Sequence, residues 1–295
     1  MEKGKSANIK TNDKIKGIIC ILLAAFGFSL MTFFVRISGD LPTMQKAFFR
    51  NAVAAVVVLV PILKSKEKFH VHEKCAPDIF FRCLFGTSGL ICNFYAIDRL
   101  PIADANMLNK LSPFFAIIAS IFILKEIPST FDWITTIIAF IGALFIVRPT
   151  GGFEMIPALA GVYGGMGAGI AYTFVRKLGK KGERTEIIVF CFSIFSSLVT
   201  APFLVFDYHP MTGRQLLFLI LAGIFASLGQ FGITTAYKFA PAKEISVFDY
   251  TQVIFAAILG FMILGEVPVW MSVAGYVLII GVAVVRWHKA RTDKT

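Results

Sequence analysis

A chain of 295 residues with 57% hydrophobic and only 16% charged side chains is too apolar for a soluble domain, where about a quarter of residues carry charge. With 31 phenylalanines and a mean hydropathy of +0.75, its outer surface must be as greasy as its core, which means a polytopic membrane protein. The net charge of +11 does not point to nucleic acid, because Lys and Arg sit in short clusters between apolar runs, as cytoplasmic loops do.

Residues 1–14 are a polar, basic cytoplasmic tail. The apolar run behind it has no small-residue cleavage site, so a retained first span is expected rather than a cleaved signal peptide. About 20 apolar residues cross the hydrocarbon as a helix. Ten such runs are predicted, at 15–37, 44–63, 77–97, 104–124, 129–148, 155–176, 185–206, 215–238, 242–264 and 268–286. Their connections are short turns, often with proline, as at 100–101, 126–128, 240–241 and 266–268. Residues 287–295 form a C-terminal tail. With both termini in the cytoplasm, the inside loops and tails hold roughly four times as many Lys and Arg as the outside ones. The outside set is Arg36, Lys46, Arg99, Arg148 and Arg214. The five cysteines (Cys20, Cys75, Cys83, Cys92, Cys191) lack metal-like spacing and read as reduced packing residues.

Shifted by 140 positions, the chain matches itself. LPIADANMLNKLSPFFAIIASIFILKEIP lies over APAKEISVFDYTQVIFAAILGFMILGEVP, so Glu126 meets Glu266 and Pro128 meets Pro268. FVR at 34–36 falls on FVR at 174–176, Gly27 on Gly167, and Gly89 on Gly229. The unit is five helices, residues 15–150 and 151–286. Five is odd, so the second copy enters from the opposite side. The fold class is therefore all-α, ten transmembrane helices as two inverted-topology repeats. That design places a substrate site near the midplane between the halves.

This five-plus-five arrangement, with ILKEIP and its echo ILGEVP, resembles the EamA-type transporters of the drug/metabolite transporter superfamily over essentially the whole chain. The resemblance implies a transporter of small organic metabolites. It also implies that the first four helices of each half line a cavity and the fifth packs outside. Substrate and coupling ion do not follow from it.

Charges at mid-bilayer are costly and usually face a cavity. Arg50 and Lys110 each lie about 9 Å inside the outer end of their helices, at ~1.5 Å per residue. They are the candidate anion clamp, with Asn51, Asn93, Tyr95 and Asn106 as directional partners in the same half. Snorkelling to the interface competes for each cation, and is the expected behaviour of Arg82. Asp249 is the one carboxylate deep in a span and aligns with Asn109. Counting depth from the two faces of a 30 Å core leaves it about 11 Å from Lys110, so a direct pair is uncertain. It is the candidate for binding a proton or a substrate amine, with Tyr250, Gln252 and Gln230 beside it; a counter-ion role is equally open. Glu126 and Glu266 are structural turn residues. Gly27, Gly89, Gly167 and Gly229 permit close helix contact. Gly164–Gly169 read as a flexible or tightly packed helix, not a phosphate loop. Phe48, Phe49, Phe94 and Tyr250 are candidate stacking rings.

No metal-ligand spacing or nucleophile–base pattern is present, so neither metal, cofactor nor catalysis is expected. The partners are the lipid bilayer, a small metabolite and, for a coupled mechanism, protons; the oligomeric state is open. The sequence favours a secondary transporter of an anionic or zwitterionic solute in the cell membrane. Its rivals are an exporter of aromatic or cationic metabolites, an intramembrane enzyme, and a non-transporting scaffold or receptor.

Overall fold

A computed structural model describes residues 2–65, 69–125, 127–147, 155–239 and 248–292. These residues are helical or in short connections, with no strand among them. The helices are α1 (Glu2–Ile37), α2 (Thr43–Lys64), α3 (Ala76–Arg99), α4 (Ile102–Asn109), α5 (Ser112–Ile123), α6 (Thr130–Val147), α7 (Met155–Lys180), α8 (Thr185–Phe206), α9 (Gly213–Phe239), α10 (Thr251–Leu259) and α11 (Trp270–Thr292). Hydrocarbon offers backbone groups no water to bond with, so each apolar run must satisfy itself as a helix. Val56, Leu63, Phe122, Leu198 and Phe261 point outward, as a lipid-facing surface requires.

Eight stretches are long and apolar enough to span a bilayer: 15–37, 43–64, 73–99, 102–123, 155–180, 185–206, 213–236 and 270–289. At the remaining two expected spans the apolar helices are shorter, Thr130–Ile146 and Thr251–Leu264. The expectation of ten full spans is thus met at eight places, and residues 240–247, which would open the ninth, lie outside the described residues. The helix of the first span also extends back through the expected tail to Glu2.

The two halves pack across one another in pairs that obey the sequence shift. α1 lies on α9 and, equivalently, α7 on α3; α2 lies on α8, and α6 on α11. The four matched glycines are two of these close approaches. A Cβ on Gly27 would sit 2.9 Å from the Gly229 nitrogen, and one on Gly167 would sit 2.8 Å from the Gly89 Cα. Inversion is visible in the loops. Gln45, just after the α1–α2 turn, exchanges hydrogen bonds with the His209 backbone (2.8 and 3.0 Å). Glu183, in the shift-equivalent α7–α8 turn, accepts from the His72 N–H (3.2 Å) at the other end.

The two turns that carry the duplicated Glu also match in backbone. Lys125 (φ 56°) and Gly265 (φ 65°), which the shift superposes, both adopt the left-handed conformation that reverses the chain. Glu266 then accepts from the Ile102 N–H (2.8 Å) and pairs with Arg36 (3.1 Å), capping α4 and tying α1 across the halves. Glu126 lies outside the described residues.

Candidate functional site

The fourth apolar run is broken at its centre. Pro113 lacks an N–H, so the Asn109 carbonyl loses its helical donor, and α4 ends with Lys110 as its C-cap before α5 begins at Ser112. The shift-equivalent position in the second half is also a break: Asp249 and Tyr250 precede α10, whose N-cap is Tyr250. Inverted repeats bring equivalent residues together only at mid-membrane, and these two breaks meet. Lys110 Nζ lies 2.6 Å from Asp249 Oδ2, both side chains buried. Tyr250 Oη donates to the Lys110 carbonyl (3.0 Å). The separation of about 11 Å estimated from the sequence is therefore corrected to a direct ion pair. Depth counting assumed unbroken helices along the membrane normal, and both helices are broken where it mattered.

Beside this pair lies a narrow cavity of about 60 Å³ between the halves. Arg50, Arg82, Asn93 and Lys110 enter it from the first half, and Gln230 and Gln252 from the second. Its rings are Phe28, Tyr172 and Phe192, not the candidates Phe48, Phe49, Phe94 or Tyr250. Phe94 is instead fully buried in the core.

Arg50 is fully buried, with one hydrogen bond to the neighbouring Asn51 Oδ1. Its Nε and Nη2 have no partner among the described residues. Asn51 does not line the cavity. It holds Arg50 from behind and anchors itself to the Ala47 carbonyl (2.8 Å). Asn106 is a brace as well, donating to the Ile102 carbonyl (2.7 Å) and accepting from Gln252 Nε2 (2.5 Å). Tyr95 faces away from the cavity, and the Arg99 guanidinium stacks 3.8 Å from its ring. Asn93 does line the cavity, and its Oδ1 is unpartnered among the described residues.

Arg82 corrects a second expectation. It does not snorkel: the side chain is buried, donates to Gln230 Oε1 (3.1 Å) and stacks 4.1 Å over the Phe192 ring. Gly86, one turn further along α3, leaves the room. A Cβ there would lie 2.2 Å from Arg82 Nη1. An Arg followed by a Gly four residues later was the sequence signal, and it is visible only once the inward face of α3 is known.

Polar ties join helices above and below the cavity, away from its lining residues. On one side, Asp78 binds Lys177 (2.8 Å) and Lys181 (2.6 Å) across the halves. There burial pushes the Glu183 carboxyl up, but hydrogen bonds from Arg184 and His72 outweigh it and hold the group below the usual range. On the other, Lys46 binds Asp98 (2.6 Å) within the first half, and Arg36 binds Glu266 between halves. Gly164, Gly165, Gly167 and Gly169 pack α7 against its neighbours: a Cβ on Gly165 would meet the Leu108 carbonyl at 2.6 Å, and one on Gly169 the Ser112 carbonyl at 2.5 Å. All five cysteines are free thiols, and no three His, Cys, Asp or Glu cluster as metal ligands among the described residues.

The EamA-like transporter family model matches the chain twice, at residues 15–148 and 155–286. A pseudopaline exporter of Pseudomonas aeruginosa is 32% identical over 90% of this chain and 93% of its own. Solute carrier family 35 member G1 of Homo sapiens is 27% identical over 93% of this chain and 80% of its own. A riboflavin transporter of Vibrio cholerae is 25% identical over 95% and 96%, respectively. One crystal structure shares the fold, with a TM-score of 0.66 at 17% identity, covering 95% of this chain and 99% of that one. The protein is a multi-pass membrane transporter of small molecules, and the chain belongs to the EamA-like family of the drug/metabolite transporter superfamily.

Proposed function

We propose that the protein is a secondary active transporter of a small anionic or zwitterionic solute. It works by alternating access in the cell membrane, through ten spans with both termini cytoplasmic. One observation carries the solute class: three cationic side chains, Arg50, Arg82 and Lys110, gather at the cavity against a single carboxylate, Asp249. A buried guanidinium keeps its proton, so the site needs negative charge from its cargo. At about 60 Å³ the cavity is far below the ~300 Å³ of ordinary ligand pockets, so loading requires the halves to separate. The ties that cross the halves, Asp78 to Lys177 and Lys181 and Arg36 to Glu266, are the contacts that such rocking would break in alternation. Asp249, released from Lys110, is the candidate proton carrier.

A second reading, export of aromatic or cationic metabolites, draws on the rings of Phe28, Tyr172 and Phe192 and on Asp249. The relatives that handle pseudopaline and riboflavin show that family members carry quite different cargo. A thermal-shift panel of anionic, zwitterionic and cationic metabolites, followed by flux of each hit into proteoliposomes, separates the two. Anionic or zwitterionic hits that cross the membrane are expected. Hits confined to cations would overturn the proposal. With a transported hit in hand, Asp249→Asn should abolish the pH dependence of flux; unaltered pH dependence removes the proton role.

A further inference from the structure

We infer that the cargo carries two carboxylate groups, one for Arg50 and one for Arg82, together with a hydrogen-bond donor such as an amine or hydroxyl. This rests on the central cavity being the transport site, and it adds the chemical class of the cargo.

The argument is one of charge and donor accounting. Lys110 is neutralised by Asp249 at 2.6 Å. Arg50 and Arg82 are not neutralised. Arg50 is held by the neutral Asn51, and Arg82 by the neutral Gln230 and the face of Phe192. Both guanidiniums are buried and line the same cavity, so two positive charges stay there uncompensated by any described side chain lining it. One carboxylate would leave one of them exposed to a low-dielectric wall; two bring the site to neutrality. The hydrogen-bond ledger agrees. Arg50 Nε and Nη2 and Arg82 Nε are buried donors without partners among the described residues. The Nε and Nη2 edge of a guanidinium is the fork that grips a carboxylate through two parallel bonds. On the acceptor side, Asn93 Oδ1 and Asp249 Oδ1 are also unpartnered, and each requires an N–H or O–H. A ligand with two acids at the arginines and one donor group toward Asn93 satisfies the four of these atoms whose residues line the cavity. An amino or hydroxy dicarboxylate has that pattern. The two arginines sit on adjacent helices of one half, α2 and α3, so this half would carry the acidic groups, and Asn93, also on α3, reads the donor.

Gly86 belongs to the same device. It is the space into which the Arg82 head folds, with Nη1 2.2 Å from where a Cβ would stand. A methyl there displaces the flexible end of a side chain, not backbone, so the protein should still fold while the clamp loses its second arm.

The test is binding by purified protein in nanodiscs, measured by calorimetry. The ligands are malonate, succinate, glutarate, aspartate and glutamate, each against a partner with one acid removed, such as asparagine and glutamine. At least one diacid should bind tenfold or more tighter than its mono-acid partner, with the amino diacid ahead of the plain one. Arg82→Gln and Gly86→Ala should each shrink that ratio to about two or less. If no diacid outbinds its partner, or if the ratio survives both substitutions, the inference fails. Should mono-acids and zwitterions bind and cross vesicle membranes while diacids do not, the two-carboxylate assignment fails but the anionic or zwitterionic transporter stands. Binding of cations alone overturns both.

Discussion

Removing one member of the Lys110–Asp249 pair is the sharpest perturbation the structure offers. The side chains are 4% and 3% exposed and 2.6 Å apart, so neither charge can retreat to water when its partner goes. Breaking such a buried pair by deleting one partner costs about 3–5 kcal/mol, chiefly because the survivor is left charged and uncompensated. Lys110→Met should lie at the upper end, because the surviving carboxylate already has one oxygen, Oδ1, without a donor among the described residues. Asp249→Asn should lie at the lower end, because an amide oxygen can still accept from the ammonium. At ~2–4 °C per kcal/mol, the single variants should melt about 6–20 °C below the parent. The double variant Lys110→Met/Asp249→Asn removes both charges and should recover most of the loss, melting within about 5 °C of the parent. Thermal unfolding in detergent, followed by a thiol-reactive dye on the five free cysteines, reads all four proteins. If the two losses simply add in the double variant, the residues do not act as a pair and the meeting of the two helix breaks is wrong.

Gly167→Ala would place its Cβ 2.7 Å from the Phe85 carbonyl and 2.8 Å from the Gly89 Cα. Backbone cannot step aside, so a loss of about 1–3 kcal/mol is expected, whereas Gly213→Ala meets nothing within 4 Å and should be neutral or better. Equal melting temperatures for the two would contradict the close α3–α7 contact. Glu183 gives a pH prediction. Its folded carboxyl titrates below the ordinary value, so its stabilisation is complete above the unfolded pKa of about 4.3 and lost as pH falls through the folded value. Melting temperature should therefore drop more steeply below about pH 4 in the parent than in Glu183→Gln. Parallel curves would show that the bonds from His72 and Arg184 add nothing.

Much of the fold was legible because a bilayer imposes rules that sequence obeys in one dimension. Apolar runs must be helices, and a five-helix repeat must invert. The glycines matched at one shift proved to lie where α1 meets α9 and where α7 meets α3. The two Glu-bearing turns share a left-handed residue at the same position of the repeat, Lys125 and Gly265. The need for a polar chamber followed from Arg50, Lys110 and Asp249 alone. What the sequence could not supply was direction around each helix axis. Tyr95 and Arg82 lie on the same helix, yet one turns from the cavity and the other into it. Asn51 and Asn106 are polar and central, yet each serves a neighbouring side chain or backbone group rather than the chamber itself. The Lys110–Asp249 contact joins residues far apart in the chain at two broken helices, and depth along the membrane normal says nothing about such a junction. Spacing along a chain determines which residues enter the membrane and how deep. Only the packing of helix against helix decides which of them face one another.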